Sequence, residues 1–402
     1  MDLVLGRTIE LLGVAMVVAI LARRLRLPYT VGLVLTGLAL ALARVDAGVT
    51  LTRDVIFDVI LPPLLFEAAI SIRWSELRRD LPFVLALSTL GVALCALVVA
   101  AGLTALLGWP GGPALAFGAL IAATDPIAVI ALLRETGLKG RLRLIIESES
   151  LINDGVAALL FTLVAASLGG AASAPTPLGV LGQTLLIGGG GVAVGLVAGA
   201  IAILLAGRTS DHLVETALTA VAAYGSFLTA ERVGASGVLA TVSAGLLMGN
   251  LGLFAGEADR FALSSQGRAF VVEFWEFAAF VANSLVFLLI GLALAATPTR
   301  AFATLVVVVV LALAGRAAAV YPVSFLFARS RWAVSSPERH FLWWGGLRGA
   351  LALALALSLP AATPYRDDIL VAAFGVVAFS VLVQGLTAKL ALRRLGLDAA
   401  RE

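Results

Sequence analysis

Ten ionisable residues lie inside long apolar stretches of this sequence: Asp58, Glu67, Asp125, Glu149, Asp154, Glu215, Glu273, Glu276, Arg316 and Arg348. An ionisable side chain at membrane depth costs several kcal/mol unless it is paired, hydrated or neutralised. Each is therefore a functional candidate by default, the acids for holding a proton or a cation and Arg348 as a counter-charge, since a guanidinium cannot bind a cation. In Glu147-Ser-Glu-Ser-Leu-Ile-Asn-Asp154, Ser150 and Asp154 are four apart and stack on one helix face, with Glu149 and Asn153 on the adjacent stripe. In Thr124-Asp125-Pro126 the proline removes a backbone donor and disfavours helical geometry at Asp125. A break there frees carbonyl groups, which membrane depth tolerates only beside protein, water or a cation. A hard monovalent cation takes several oxygens. Asp154, Ser150, Glu67 and a carbonyl near Thr124 are that kind of set.

Depth groups the candidates. At about 1.5 Å per residue, Glu67, Glu149, Arg348 and Asp154 lie roughly 9, 7, 12 and 15 Å from the inner ends of their helices. Asp125 is near the middle of its own run. These five charges on four helices share one band. Glu273 and Glu276 start their helix near its inner end, where snorkelling or capping is ordinary. Asp58 and Arg316 are as readily placed in local pairs as at a site, and His212 and His340 read as solvated residues of inner loops. A second interruption, Gly345-Gly346-Leu347-Arg348-Gly349, lies in the other half of the chain. Two interrupted helices, one per half, point to a transport site at a repeat interface.

The elements that position these residues follow from composition. Of 402 residues, 61% are hydrophobic and 13% charged, against about a quarter charged in soluble domains. Thirteen runs are long enough to cross a bilayer, at 5–22, 29–44, 54–72, 82–107, 114–133, 144–168, 178–206, 213–230, 235–251, 269–296, 301–328, 340–359 and 368–391. The expected fold class is an all-α polytopic membrane protein with about thirteen transmembrane helices. With the amino terminus outside, twenty of the 28 Lys and Arg residues fall in inner loops and the carboxyl-terminal tail, as the positive-inside rule requires. The basic balance is thus a topology signal, not a sign of a nucleic-acid partner. The single cysteine, Cys95, excludes an intrachain disulfide. The first apolar run reads as a membrane helix, not a cleaved signal.

The segments Leu-Pro-Pro-Leu-Leu-Phe-Glu (61–67), Ala-Thr-Asp-Pro-Ile-Ala-Val (123–129), Glu-Ser-Glu-Ser-Leu-Ile-Asn-Asp-Gly (147–155), Phe-Trp-Glu-Phe…Ala-Asn-Ser-Leu-Val-Phe-Leu-Leu-Ile-Gly (274–291) and Gly-Gly-Leu-Arg-Gly-Ala (345–350) carry a family resemblance. The chain resembles the NhaP-type Na⁺/H⁺ antiporters of the monovalent cation–proton antiporter superfamily along essentially its whole length. The resemblance implies two inverted repeats, with an extra first helix, in a homodimer. It divides the chain into scaffold and dimerisation helices (1–80), the first repeat of a transport core (81–170), a linker with further scaffold helices (171–297) and the second core repeat (298–402). The broken helices would cross at the site. Asp154 would carry the ion and the proton, with Glu67, Ser150 and the Thr124 carbonyl as further Na⁺ ligands. Asn153 and Asp125 would hold the crossing, and Arg348 would pair with Glu149. The Asn-Asp form is associated with electroneutral one-for-one exchange.

No enzyme chemistry and no resident cofactor are expected, since Na⁺, with Li⁺ or K⁺ as further candidates, and H⁺ are cargo. The expected partners are these ions, the lipid bilayer and a second copy of the chain. The expected location is a prokaryotic-type plasma membrane, with the carboxyl terminus cytoplasmic. A cation channel is the rival reading, though filters usually use rings of acids or carbonyls from several subunits. A secondary symporter on a similar inverted-repeat fold is another.

Overall fold

A computed structural model describes residues 2–25, 27–44, 52–127, 129, 130, 133, 140–168, 177–255, 263–294 and 302–397. Every regular element among them is helical. The first three helices are α1 (Asp2–Leu25), α2 (Tyr29–Leu42) and α3 (55–70). Next come α4 (Trp74–Leu107), α5 (Gly111–Ala122) and α6 (Arg141–Leu168). The middle of the chain forms α7 (177–206), α8 (His212–Arg232), α9 (Gly237–Leu253) and α10 (Ser265–Leu294). The last four are α11 (Phe302–Leu326), α12 (Ser336–Trp344), α13 (Ala350–Leu357) and α14 (Arg366–Arg394).

Among the described residues, seven helices are long and apolar enough to cross a membrane: α4, α6, α7, α8, α10, α11 and α14. Of the other six runs read from the sequence, the first forms the 24-residue α1 and the remaining five form shorter or interrupted helices. α4 starts at Trp74, eight residues before its apolar run, because the turns around Leu77, Asp80 and Phe83 bury one face while Arg78 and Arg79 stay exposed. Those two arginines belong to a helix, not to a loop. His212 and His340 likewise lie in helices, at the start of α8 and within α12.

The helices pack in two groups. α4 lies against α5, α6 and α11, and α14 against α11 and α13. In the second group α10 lies along α2 and α3, and α9 against α3, α7 and α8. A separate apolar cluster of Phe66, Ile70, Met248 and Trp275 holds the second group, with the Phe66 and Trp275 rings 4.6 Å apart. α2 and α10 meet backbone to backbone at Gly37 and Gly291. A Cβ on Gly37 would overlap the Leu288 carbonyl, and one on Gly291 the Val34 carbonyl. Small residues that let helices touch are how membrane helices gain contact where lipid is as apolar as leucine.

Candidate cation site

The two interrupted helices meet at their breaks. α5 ends at Ala122, residues 123–126 are non-helical, and helical geometry returns at Ile127. On the other side α12 ends at Trp344, and α13 starts at Ala350. The Asp125 backbone N–H donates to the Leu347 carbonyl over 2.8 Å, tying one break to the other. The Asp125 carboxylate accepts from the Ile127 N–H at 3.0 Å, the pattern of a helix N-cap, so this aspartate starts the second half of its own interrupted helix. Gly349 has no side chain because Asp125 occupies the place: a Cβ there would overlap its carboxylate.

Arg348 serves the opposite end. Its Nη1 donates to the carbonyls of Ala122 and Ala123, both at 2.9 Å, where α5 stops. The last carbonyls of a helix have no partner within it and carry its negative dipole end, so a buried guanidinium suits them.

This corrects one expectation. Arg348 does not pair with Glu149; Arg316 does. From α11, Arg316 Nη1 and Nη2 donate to the two Glu149 carboxylate oxygens at 2.8 and 3.0 Å, and Nη2 also reaches the Leu342 carbonyl at 3.0 Å. The geometry is a bidentate fork, and the side chains are only 6% and 2% exposed. Arg316 had a signal of its own: it lies ten or more residues from either end of its apolar run, too deep to snorkel.

Asn153 joins the break to this pair. Its Nδ2 donates to Thr124 Oγ1 at 2.7 Å and to Glu149 Oε1 at 2.8 Å, and its Oδ1 accepts from the Thr124 N–H at 3.4 Å. Thr124 Oγ1 lies 3.0 Å from Ser150 Oγ. Ser88, in a wide π turn of α4, donates to the Glu149 backbone carbonyl at 3.1 Å. Thr124, Ser150, Asn153 and Glu149 are buried, while Asp154, Glu67 and Asp125 are only partly so.

Those three acids line one cavity, together with Thr124, Ser150 and Glu147, of about 700 Å³ including its open mouth. Asp154 accepts no hydrogen bond from any described residue. All four residues expected to bind the ion therefore face one space: Asp154, Ser150, Glu67 and Thr124. Of those expected to hold the core, Asn153 and Glu149 form a hydrogen-bonded unit with Thr124 and Ser150, and Asp125 and Arg348 bridge the two breaks. Glu147 also lines a second cavity, bounded by Arg73, Glu76, Gly140 and Arg143, where its carboxylate meets Arg143 at 2.7 Å. It is thus common to the linings of both cavities.

The remaining charges are elsewhere. Glu273, Glu276 and Asp58 are exposed. Glu215 is buried and accepts from the Ser264 backbone N–H at 3.0 Å and hydroxyl at 2.9 Å, anchoring the start of α10 to α8. The sequence reading assigned no role to Asn283 of α10, which also lines the cavity. It carries no charge, and its position marks it out.

The family described as "Sodium/hydrogen exchanger, transmembrane" matches residues 12–394. The Na(+)/H(+) antiporter ApNhaP of Aphanothece halophytica is 41% identical over 395 residues, 97% of this chain and 74% of that protein. The Na(+)/H(+) antiporter NhaH of Halobacillus aidingensis is 34% identical over 405 residues, 96% of each chain. Among solved structures, the sodium proton antiporter MjNhaP1 from Methanocaldococcus jannaschii at pH 8 superposes with a TM-score of 0.77 at 22% identity, covering 98% of this chain and 99% of that one. It has the same fold. With a family match over nearly its whole length and relatives of this identity, the chain belongs to the transmembrane sodium/hydrogen exchanger family.

Proposed function

We propose that the protein is a secondary antiporter that exchanges Na⁺ for H⁺ by alternating access, one for one and without net charge, with Asp154 as the shared carrier. The observation that carries this is the division of charge at the crossing. Arg316 is committed to Glu149 and Arg348 to the α5 carbonyls, while the Asp154 carboxylate faces the cavity with no hydrogen bond from a described residue. A carboxylate at this depth needs a partner, and here the partner comes from solution: Na⁺ or a proton.

The ligands follow from the lining. Asp154 and Glu67 supply carboxylate oxygens, Ser150 a hydroxyl and Thr124 a carbonyl. Cation and proton compete for one carboxylate, and its neutralisation by either lets the core cross. Residues 81–170 and 298–402 form that moving core, and 1–80 and 171–297 the scaffold through which two copies dimerise. Thirteen spans place the amino terminus outside and the carboxyl terminus in the cytoplasm. The packing of α4, α5, α6, α11 and α14 mainly against one another, with lighter contact to the α2, α3 and α7–α10 group, supports this division. Since Asn153 is neutral, one site carboxylate changes proton occupancy per cycle, which favours electroneutral exchange. Nothing in the site calls for a resident cofactor or a covalent step.

The test uses purified protein in liposomes that trap a pH dye. An inward Na⁺ gradient should drive proton efflux at a rate indifferent to a valinomycin-clamped potential. Proton flux that follows the potential would remove electroneutrality, and single-channel currents would replace the carrier with a channel.

A further inference from the structure

Asn283 stands out among the polar groups of the cavity wall. The residue is 5% exposed, and its Oδ1 is buried with no hydrogen-bond partner among the described residues. It lines the same cavity as Asp154, Glu67 and Thr124. Leaving a buried amide oxygen unsatisfied costs on the order of 1–3 kcal/mol, so a helix with no use for it would do better with an apolar residue. The neighbours one turn away are apolar: Phe280 stacks on Tyr29 with centroids 5.7 Å apart, and Phe287 belongs to the core. Ser284, the next residue, satisfies its hydroxyl within the helix, on the Phe280 carbonyl at 2.7 Å. Asn283 does not.

We propose that Asn283 is a further ligand of the transported cation, its amide oxygen meeting the ion or an ion-bound water in the cavity that Asp154 also lines. An amide oxygen is a hard, neutral donor of the kind that Na⁺ accepts beside carboxylates. The inference rests on the exchange reading above and adds a consequence to it. Asn283 sits on α10, which packs on α2 and α3, whereas Thr124, Ser150 and Asp154 belong to the crossing and α6. When the two groups of helices move past one another, Asp154 leaves Asn283 behind. The contact therefore favours the cation in the conformation described here and is lost in the other, and only such differential contacts let an ion bias the two states.

The test compares Asn283→Leu, which keeps the branch at Cγ without an oxygen, with Asn283→Asp, which keeps an oxygen. Without Na⁺, the leucine variant should melt at or above the temperature of the parent protein, because an unsatisfied oxygen has gone. Its apparent KM for Na⁺ should rise about fivefold, the size of one lost contact, and its Na⁺-dependent gain in melting temperature should shrink. The aspartate variant should keep that gain. A parental KM with a full Na⁺-dependent gain would overturn the proposal, as would a leucine variant that melts lower without Na⁺ and keeps the parental KM. Asp154→Ala is the control that separates the two levels. If it retains the Na⁺-dependent gain, the exchange reading itself falls. If it loses the gain while Asn283→Leu keeps it, only the role of Asn283 falls.

Discussion

Arg316 grips both carboxylate oxygens of Glu149, at 2.8 and 3.0 Å. Five residues along the same helix, Asp154 accepts no hydrogen bond from a described residue. Two acids on one helix thus stand in opposite surroundings. One is fixed by an internal cation, and the exchange proposed above assigns the other to a cation from solution. The split is maintained by Asn153, which bonds to Glu149 on one side and to Thr124 at the break on the other.

The Glu149–Arg316 pair should be the more expensive one to break. Arg316→Ala leaves a carboxylate that is 2% exposed without its partner, a change that costs about 3–5 kcal/mol for buried pairs. Melting in detergent should fall sharply, and Arg316→Met with Glu149→Gln should recover much of the loss. A parental melting temperature in Arg316→Ala would contradict the pairing.

Arg348 has a different job and should fail differently. Arg348→Met strands the Ala122 and Ala123 carbonyls, at a cost of about 1–3 kcal/mol. The smaller loss of stability should accompany a near-complete loss of exchange, because the end of α5 no longer holds its place at the crossing. Melting and dye-based transport measured on one preparation separate the two effects.

Gly349→Ala tests the crossing sterically. The added methyl must displace the Asp125 carboxylate, which otherwise caps the Ile127 N–H. Transport should drop at least tenfold, with the helix content by circular dichroism unchanged. Full activity would mean that the two breaks tolerate separation.

Asn153→Asp addresses the amide. Its Nδ2 donates to two acceptors, and a carboxylate in its place sets charge against Glu149 Oε1, 2.8 Å away. The variant should lose stability and exchange, not simply become voltage-sensitive. Parental melting with potential-driven exchange would show that the amide's donated bonds are dispensable.

Much of this site could be read from the sequence, for a physical reason. Charges are so disfavoured in apolar runs that the few present mark function, and depth along a helix follows from counting residues. That placed Asp154, Glu67, Asp125, Glu149 and Arg348 in one band, and Pro126 and Gly349 gave the breaks. What counting cannot supply is rotation about each helix axis. Arg316 and Arg348 both reach the region of Glu149 by depth, and only the packing of α11 on α4 beside α6 decides which arm arrives. The start of α4 at Trp74 escaped for a related reason: its first turns are amphipathic, so hydropathy stops where the helix does not. Asn283 carries no charge, and what marks it out is its place in the cavity lining and an amide oxygen with no partner among the described residues.

In the proposed exchange one carboxylate, that of Asp154, alternates between Na⁺ and H⁺. Asp154→Asn keeps the shape and the hydrogen-bonding size but cannot take up a proton. In liposomes with a trapped pH dye, it should show no Na⁺-driven proton efflux at any Na⁺ concentration, while the parent protein's apparent KM for Na⁺ falls as pH rises and protons cease to compete. Residual Na⁺-driven efflux in Asp154→Asn, or a parental KM indifferent to pH, would contradict the account.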